Sequence, residues 1–270
     1  MKAVRIAGPQ KLETIDIPEP HAGPEQVVIR VRNVGICGSD LHIYVGRHPN
    51  VKLPIIPGHE FAGDVIEAGA GATHKVGERV VVEPLVTCDH CYYCKRGQYN
   101  LCTSLKFLGN QVDGAKAAGV AYVAVVEPVE WRQKLAQQIG ADLVVKPEDA
   151  NQILNDTEVG ADVSIEAVGK SETAALALSL TKKGGRTVIA GVFEIPQLQL
   201  KPMEIVDNEK EIVGTVGYSW GDFPTAISLI SKGQVDAKKL VSRVLTLDKA
   251  KEGFELGLSR NEVVKVQLQP

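Results

Sequence analysis

The first part of the chain, up to about residue 114, contains short segments in which apolar and polar residues alternate. Val27–Val34 alternates along its whole length, which predicts a strand with one buried face. Gly63–Ala68 and Glu78–Pro84 predict two further strands, and turns with glycine and proline separate these segments. Short strands with frequent turns indicate a compact, barrel-like β domain.

From Ala115 onwards, apolar strands alternate with helical segments. The predicted strands are Tyr122–Glu127, Leu143–Val145, Ala161–Val168, Arg186–Val192 and Glu211–Val216, and the predicted helices are Val129–Ile139 and a helix from Ser171, as its cap, to Lys183. This alternation indicates βαβ units and a buried parallel sheet. The remaining segment predicts helices at Phe223–Lys232 and Leu247–Leu258 and strands at Val241–Leu245 and Val263–Leu268.

Composition and charge narrow the possible partners. Hydrophobic residues make up 44% of the 270 residues and charged residues 23%, as in an ordinary globular protein. The net charge is −3, and no basic cluster is longer than Lys182-Lys183 or Lys238-Lys239, so we expect neither nucleic acid nor an anionic membrane as a partner. The start, MKAVRIAGPQ, has no apolar signal-peptide core, and no apolar run reaches the length of a membrane span.

Four of the five cysteines, Cys88, Cys91, Cys94 and Cys102, lie within fifteen residues in the spacing C-x2-C-x2-C-x7-C. This spacing predicts a closed tetrahedral zinc site with Zn–S distances of about 2.3 Å and a structural role. Disulfides are disfavoured, because cysteines three apart are poorly placed to form one and nothing else marks the chain as secreted. His90 lies inside this lobe but is predicted to be a surface residue. Clustered thiolates favour the reducing cytoplasm.

A second set of candidate ligands precedes the lobe, in Gly35–His42 (GICGSDLH) and Pro57–Glu60 (PGHE). Cys37 and His59 are the residue types that bind zinc. On the residues alone a second interpretation stays open, since an isolated cysteine with apolar neighbours is commonly a buried filler and an isolated histidine commonly has a structural role.

The motifs GICGSDLH, PGHEFAG and the four-cysteine lobe, in this order, resemble the zinc-dependent medium-chain alcohol dehydrogenase family, above all its polyol, diol and threonine dehydrogenase branch. The resemblance implies an α/β protein in three parts. Residues 1–114 would form a β-rich GroES-like catalytic domain with a structural zinc lobe, residues 115–218 an incomplete Rossmann-type coenzyme domain with a parallel sheet, and residues 219–270 a segment that returns to the catalytic domain. It also implies a homodimer or homotetramer.

The same resemblance assigns roles around a catalytic zinc. Cys37 and His59 correspond to its ligands, and Glu60 to a carboxylate that can enter the zinc shell. Zinc acts as a Lewis acid that lowers the pKa of the bound alcohol. The substrate is then a small-molecule alcohol.

The resemblance also supplies a path for the alcohol proton. Ser39 corresponds to the hydroxyl that takes this proton, and His42 to the outer end of the relay. Asp40 resembles a residue behind the ligands that orients the histidine.

The βαβ region supplies candidate coenzyme residues. Glu127 ends an apolar strand, where a carboxylate can bind the ribose 2′-hydroxyl and repel a 2′-phosphate, which favours NAD over NADP. Arg132 corresponds to a contact of the adenosine end, and Ala190, Gly191 and Val192 to the segment beside the nicotinamide. An ordinary strand-end acid, a helix-surface charge and a plain backbone turn remain the alternatives for these positions.

The chain departs from the family at one place. A dinucleotide-binding fold needs a strand, a G-x-G-x-x-G turn and a helix, about 20 residues before the acid. Phe107–Gly114 contains Gly109 and Gly114 but no such fingerprint. The resemblance implies that a block is missing between Gly114 and Ala115, with further catalytic-domain strands, the third zinc ligand and the first coenzyme-domain strand. Loss of that strand should leave two strand edges without a partner.

Two functions follow as hypotheses. The first is a zinc-dependent oxidoreductase that transfers a hydride from a secondary alcohol, a polyol or diol, to NAD; the intact ligand and relay motifs favour it. The second is a non-catalytic zinc-binding remnant of the family that cannot bind NAD, which the missing fingerprint favours. A nucleic-acid-binding zinc ribbon is disfavoured by the charge, and a zinc-free quinone reductase by Cys37, His59 and the lobe.

Overall fold

The computed structural model describes residues 1–48, 51–107, 122–193, 195, 197–219, 221–259 and 263–270. Its strands are β1 (Lys2–Gly8), β2 (Lys11–Asp16), β3 (Val27–Ile36), β4 (Glu60–Ala68), β5 (Arg79–Val81), β6 (Leu85–Val86), β7 (Lys106–Phe107), β8 (Ala124–Val126), β9 (Leu143–Val145), β10 (Ala161–Glu166), β11 (Thr181–Ile189), β12 (Glu211–Gly214), β13 (Val241–Thr246) and β14 (Lys265–Gln269). Its α-helices are α1 (Gly38–Tyr44), α2 (Glu130–Gln138), α3 (Gln152–Thr157), α4 (Ser171–Leu180), α5 (Pro202–Val206), α6 (Asp222–Ser231) and α7 (Ala250–Ser259).

The chain divides into two compact units. Unit 1 consists of Met1–Asp113 and Gly217–Pro270, and unit 2 of Gly114–Val216. The domain limits drawn from the sequence stay predictions, and the junction between Gly114 and Ala115 lies outside the described residues. In the described ranges, no helix is long and apolar enough to cross a membrane.

Unit 1 is built on a five-stranded sheet in the order β13-β14-β3-β4-β5, beside the hairpin of β1 and β2. The strand predicted at Val27–Val34 is confirmed and extends to Ile36 as β3. It runs antiparallel to β4, with Gly35 opposite Glu60. This pairing brings the end of β3 to the start of β4, where the second set of candidate ligands lies.

The core of unit 1 holds that end of β3 in place. Ile36 and Val266 are buried together with Phe254 of α7 and Tyr44 of α1, whose ring centroids are 5.0 Å apart. Burial of such side chains stabilises by about 2 kcal/mol each. Helix α1 starts directly after Cys37, so the same core fixes this cysteine.

Unit 2 contains two separate parallel sheets, β8-β9 and β10-β11-β12. Among the described residues no strand joins them, as expected if the first coenzyme-domain strand is missing. The two sheets are linked instead by side chains, since Val145 of β9, Ile153 of α3 and Leu180 of α4 form one buried cluster. On β10, Val163 and Ile165 remain 52% and 56% exposed, although parallel sheets are normally covered on both faces.

Helix α4 ends at Leu180, so its predicted extension to Lys183 is wrong. The strand that follows starts at Thr181 and ends at Ile189, whereas Arg186–Val192 was predicted. The reason is that the buried Thr181 hydroxyl is shared with the sheet, 2.6 Å from the Ser164 hydroxyl and 2.9 Å from the Thr187 hydroxyl.

The predicted capping role of Ser171 is also wrong. The residue before the helix is Lys170, and no side chain caps this end. The Ser171 hydroxyl instead accepts a hydrogen bond of 2.7 Å from the backbone N–H of Gln199. This long-range bond competes successfully with the local one.

Candidate metal centres and coenzyme site

The four cysteines of the lobe converge on one point. Short 3-10 helices at Cys94–Arg96 and Tyr99–Leu101 turn the chain so that Cys102 returns to Cys88. The sulfur atoms of Cys88 and Cys102 are 3.5 Å apart, those of Cys91 and Cys94 3.5 Å, and those of Cys88 and Cys94 4.0 Å. Four sulfurs at about 2.3 Å around a tetrahedral zinc would be ~3.8 Å apart, whereas a disulfide needs about 2.05 Å. The arrangement fits zinc.

The electrostatics of the lobe also suit a divalent cation. The backbone N–H of Cys94 stabilises the thiolate of Cys91 and lowers its pKa to about 5, and the backbone N–H of Cys88 lowers the pKa of Cys102. Burial and the neighbouring Cys91 and Cys102 raise the pKa of Cys94 to about 12. The neighbouring protein groups therefore favour the thiolate form of Cys91 and Cys102 but not that of Cys94. A cation at the centre would stabilise all four thiolates. His90 is exposed, as predicted.

Cys37, His59 and Glu60 form the second group, with ligand atoms all within 4.8 Å of one another. Cys37 is 8% and His59 4% exposed. The pairing of β3 with β4 explains their convergence, since Cys37 follows one strand and His59 precedes the other. A thiolate, an imidazole and a carboxylate are all zinc ligands. Within the described residues this group has no fourth member.

Asp40 links the two buried ligands. Its Oδ2 accepts a hydrogen bond of 2.9 Å from the backbone N–H of Cys37, and its Oδ1 lies 3.4 Å from Nδ1 of His59. Burial by itself lowers the pKa of His59, but the neighbouring Asp40 and Cys37 outweigh it and raise this pKa to about 10. Metal binding at His59 therefore has to release a proton.

Ser39 and His42 lie on α1, one helical turn apart. The Ser39 hydroxyl is buried and has no hydrogen-bond partner among the described residues. A buried hydroxyl without a partner costs about 1–3 kcal/mol, which a bound polar ligand would recover. This property suits the proton-accepting role that the sequence predicts for it.

Lys265 is a neighbour of the site that the sequence analysis did not predict. Its Nζ lies 2.9 Å and 2.7 Å from the two carboxylate oxygens of Glu60. Gly35 leaves room for this pair, because a Cβ there would lie 2.4 Å from Oε2 of Glu60. The two charged residues are 205 positions apart, and only the pairing of β14 with β3 and of β3 with β4 brings them together.

In unit 2, Glu127 and Arg132 lie at the start of α2. One carboxylate oxygen of Glu127 accepts a hydrogen bond of 2.9 Å from the backbone N–H of Val129. The guanidinium of Arg132 lies 5.2 Å from the ring centroid of Trp131. In the described part of the chain, the second carboxylate oxygen of Glu127 accepts no hydrogen bond, which suits the ribose end of a dinucleotide.

Ala190, Gly191 and Val192 follow β11 at the carboxyl end of the three-stranded sheet, where ligands of open α/β sheets bind. The backbone N–H groups of Ala190 and Gly191 donate to the carbonyl oxygen of Glu166, at 2.8 Å and 3.0 Å. A Cβ on Gly191 would lie 2.2 Å from the backbone nitrogen of Gly169. This glycine is therefore required by a close backbone approach.

The coenzyme residues thus suit two ends of a dinucleotide but not its middle. Glu127 and Arg132 suit the adenosine end, and Ala190–Val192 the nicotinamide end. Among the described residues, none forms the glycine turn and helix start that hold a pyrophosphate.

Comparison with known proteins adds independent findings. Residues 23–137 match the family described as alcohol dehydrogenase GroES-like domain, and residues 110–232 match zinc-binding dehydrogenase. A solved (2R,3R)-butanediol dehydrogenase from Bacillus subtilis is 28% identical, with a TM-score of 0.87 over 100% of this chain and 99% of that one. An alcohol dehydrogenase from Escherichia coli CFT073, solved with the cofactor NADH, is 25% identical with a TM-score of 0.87, over 100% and 99% of the two chains.

Sorbitol dehydrogenase from Bacillus subtilis is 30% identical, over 100% of this chain and 97% of its own length. This comparison has 346 aligned positions against 270 residues in the chain, a difference of 76 positions. Since the comparison covers the whole chain, these positions are gaps within it, and their place between Gly114 and Ala115 stays a prediction. The motifs, the two units and these likenesses agree: the chain belongs to the zinc-dependent medium-chain alcohol dehydrogenase family, with a GroES-like unit and a Rossmann-type unit.

Proposed function

We propose that this protein is a zinc-dependent oxidoreductase that transfers a hydride from a secondary alcohol, of the polyol or diol class, to NAD. The observation that carries the proposal is the convergence of Cys37, His59 and Glu60, whose ligand atoms lie within 4.8 Å of one another. Ser39, two positions after Cys37, adds a buried hydroxyl without a partner among the described residues. Zinc ligands and a hydroxyl close in the chain support alcohol oxidation.

Each residue has a separate task in this proposal. Cys37 and His59 would hold the zinc, which when bound would supply the Lewis acidity that makes an alcohol acidic near neutral pH. Ser39 Oγ would accept the alcohol proton and release its own hydroxyl proton towards His42, which lies one turn further along α1. Glu60 either joins the ligands or stays paired with Lys265.

The substrate and coenzyme classes rest on the relatives and on Glu127. Sorbitol dehydrogenase and butanediol dehydrogenase, as their names state, act on a polyol and a diol. The E. coli relative was solved with NADH. The carboxylate of Glu127 would repel a 2′-phosphate, which supports NAD.

A second zinc, bound by Cys88, Cys91, Cys94 and Cys102, would be structural, because four sulfurs fill a tetrahedral shell. We further propose that the chain works in the cytoplasm, where its thiols remain reduced. We also propose a homodimer or homotetramer, which would pair coenzyme units through Ile205–Val216.

The test is zinc content per chain together with NADH binding on the purified protein. Two zinc ions, NADH binding and oxidation of sorbitol or 2,3-butanediol are the expected results. His74→Ala is the matched control, because His74 is an exposed histidine outside both ligand groups and its loss should change neither number. One zinc per chain without NADH binding would instead identify a zinc-binding remnant and overturn the proposal.

A further inference from the structure

Glu166, at the end of β10, is a buried carboxylate that no role described so far uses. It is 2% exposed. Its Oε1 accepts three hydrogen bonds of 2.7 Å, from the backbone N–H groups of Val168 and Gly169 and from the hydroxyl of Thr173. Burying a carboxylate is costly unless it is well bonded, so this one must stabilise a specific arrangement.

The arrangement is the contact between two loops at the carboxyl end of the sheet. All three donors to Oε1 come from residues 168–173, just after β10. The backbone oxygen of Glu166 binds the other loop, through the N–H groups of Ala190 and Gly191. One residue therefore joins the loop after β10 to the loop after β11.

The backbones of these two loops are in close contact. A Cβ on Gly169 would lie 2.2 Å from the carbonyl oxygen of Val192, and a Cβ on Gly191 would lie 2.5 Å from Oε2 of Glu166. This Oε2 atom is buried and has no partner among the described residues. The carboxylate thus lies directly against the glycine, and its loss would leave a void beneath Ala190–Val192.

We propose that Glu166 is a positioning residue for the nicotinamide half of the coenzyme. Its carboxylate fixes the segment of residues 168–173, which includes the start of α4, and this segment in turn holds Ala190–Val192 in the position that meets the nicotinamide. The inference rests on the proposed function, because it assumes that Ala190–Val192 contacts this ring. Glu166 itself is too deeply buried to touch the coenzyme.

The experiment compares two ligands by calorimetry on the zinc-loaded protein. NADH carries the nicotinamide, and ADP-ribose lacks it. Because Glu166→Ala releases the segment beside the nicotinamide only, we expect it to weaken NADH binding about tenfold or more and ADP-ribose binding less than about twofold. A general loss of structure would weaken both ligands equally.

Three further variants keep the test decisive. Glu166→Gln retains an oxygen acceptor and should restore most of the NADH affinity, whereas Thr173→Val removes one donor and should give a smaller NADH-specific loss. If Glu166→Ala does not fold, the affinities for NADH and ADP-ribose are compared in Thr173→Val instead. Thr181→Val is the matched control, since it removes a buried hydroxyl from the same sheet, far from the two loops, and should leave the ratio of the two affinities unchanged.

Equal losses for NADH and ADP-ribose, or unchanged NADH affinity in both Glu166→Ala and Thr173→Val, would overturn this inference alone. Absence of NADH binding by the unmodified chain would overturn the proposed function and this inference with it.

Discussion

Units 1 and 2 differ in whether a single sheet brings their candidate site residues together. In unit 1, antiparallel pairing of β3 with β4 and β14 is continuous and brings Cys37, His59, Glu60 and Lys265 together from distant parts of the sequence. In unit 2, the parallel strands form two separate sheets, and the residues suited to the coenzyme are divided between them. The members of a site assembled on one sheet are held by direct strand pairing, which the two groups of coenzyme residues lack in the described part of unit 2.

The comparison separates the two sites by what each sheet provides. The ligands of unit 1 converge through strand pairs that are far apart in the sequence but belong to one sheet. In the described part of unit 2, β8 and β10 belong to different parallel sheets, so no strand pairing links the two groups of coenzyme residues. We therefore expect metal binding to be more robust than coenzyme binding.

The largest expected effect concerns the zinc lobe of unit 1. Cys94→Ser should lower the free energy of unfolding by about 5 kcal/mol or more, since structural zinc contributes ~10–16 kcal/mol in small metal-folded peptides. Thermal unfolding with zinc analysis measures this. A chain that lost one zinc but kept its melting temperature would show that the lobe does not stabilise unit 1.

His59→Ala should have the second-largest effect. We expect turnover to fall by roughly 10³-fold, equal to about 4 kcal/mol, because the catalytic zinc would lose a ligand. One zinc should remain bound in the lobe. Metal analysis and alcohol oxidation with NAD check both numbers. Retained activity would remove Cys37, His59 and Glu60 from the proposed catalytic site.

Two valines compare the sheets directly. Val65 of β4 is 1% exposed and Val163 of β10 is 52% exposed. Val65→Lys should destabilise by about 3 kcal/mol because it buries a charge, whereas Val163→Lys should cost less than about 1 kcal/mol. Equal losses in chemical denaturation would mean that β10 is covered in solution and that the contrast between the units is wrong.

Lys265→Met tests the ion pair beside the catalytic group. Without the lysine, both oxygens of Glu60 become available, so we expect zinc at Cys37 and His59 to be held about tenfold more tightly, the scale of effect known for residues behind metal ligands. Competition with a chelator measures this affinity. Lys2→Met, which breaks an exposed pair with Asp16, is the matched control and should change nothing.

The smallest effect concerns Asp64 of β4. Its carboxylate oxygens accept hydrogen bonds of 2.7 Å from Nε of Arg32 on β3 and of 2.8 Å from Nε of Arg79 on β5, so it links three strands. Hydrogen bonds from Arg79 and Arg32 lower the pKa of Asp64. Because a lowered pKa stabilises the folded chain above the unfolded value of about 3.9, this contribution is lost as the pH falls below about 4.

Asp64→Asn should therefore melt slightly lower than the unmodified chain at pH 6, and the difference should be smaller at pH 3. Acid release of zinc affects both chains alike and cancels in the difference. A constant difference at both pH values would show that the carboxylate charge is not what matters.

Elements with strong local patterns were predictable. The strand at Leu143–Val145 was predicted with the correct limits, and the cysteine spacing predicted the convergence of four sulfurs, because nearby residues set both. The limits of α4 were wrong, since the fate of Thr181 depends on hydroxyls that the sheet supplies from Ser164 and Thr187.

Sequence patterns could not predict side-chain partners that lie far apart in the chain. Lys265 meets Glu60 only through two strand pairings, and a lysine in a strand gives no signal of its own. The sequence pattern predicts Glu166 only as part of an apolar strand. Its burial and its three donors depend on loops that a strand pattern does not describe. The candidate ligands Cys37 and His59, by contrast, were found because the family motifs carry them.

The exposed side chains of β10 have a consequence for how the protein must be handled. Among the described residues β10 is also the edge of its sheet, and an unpaired strand edge is a template on which a strand of another molecule can add. Such association depends on how often molecules meet, so its rate should rise steeply with protein concentration. We therefore expect dilute samples of this protein to remain clear where concentrated ones slowly precipitate.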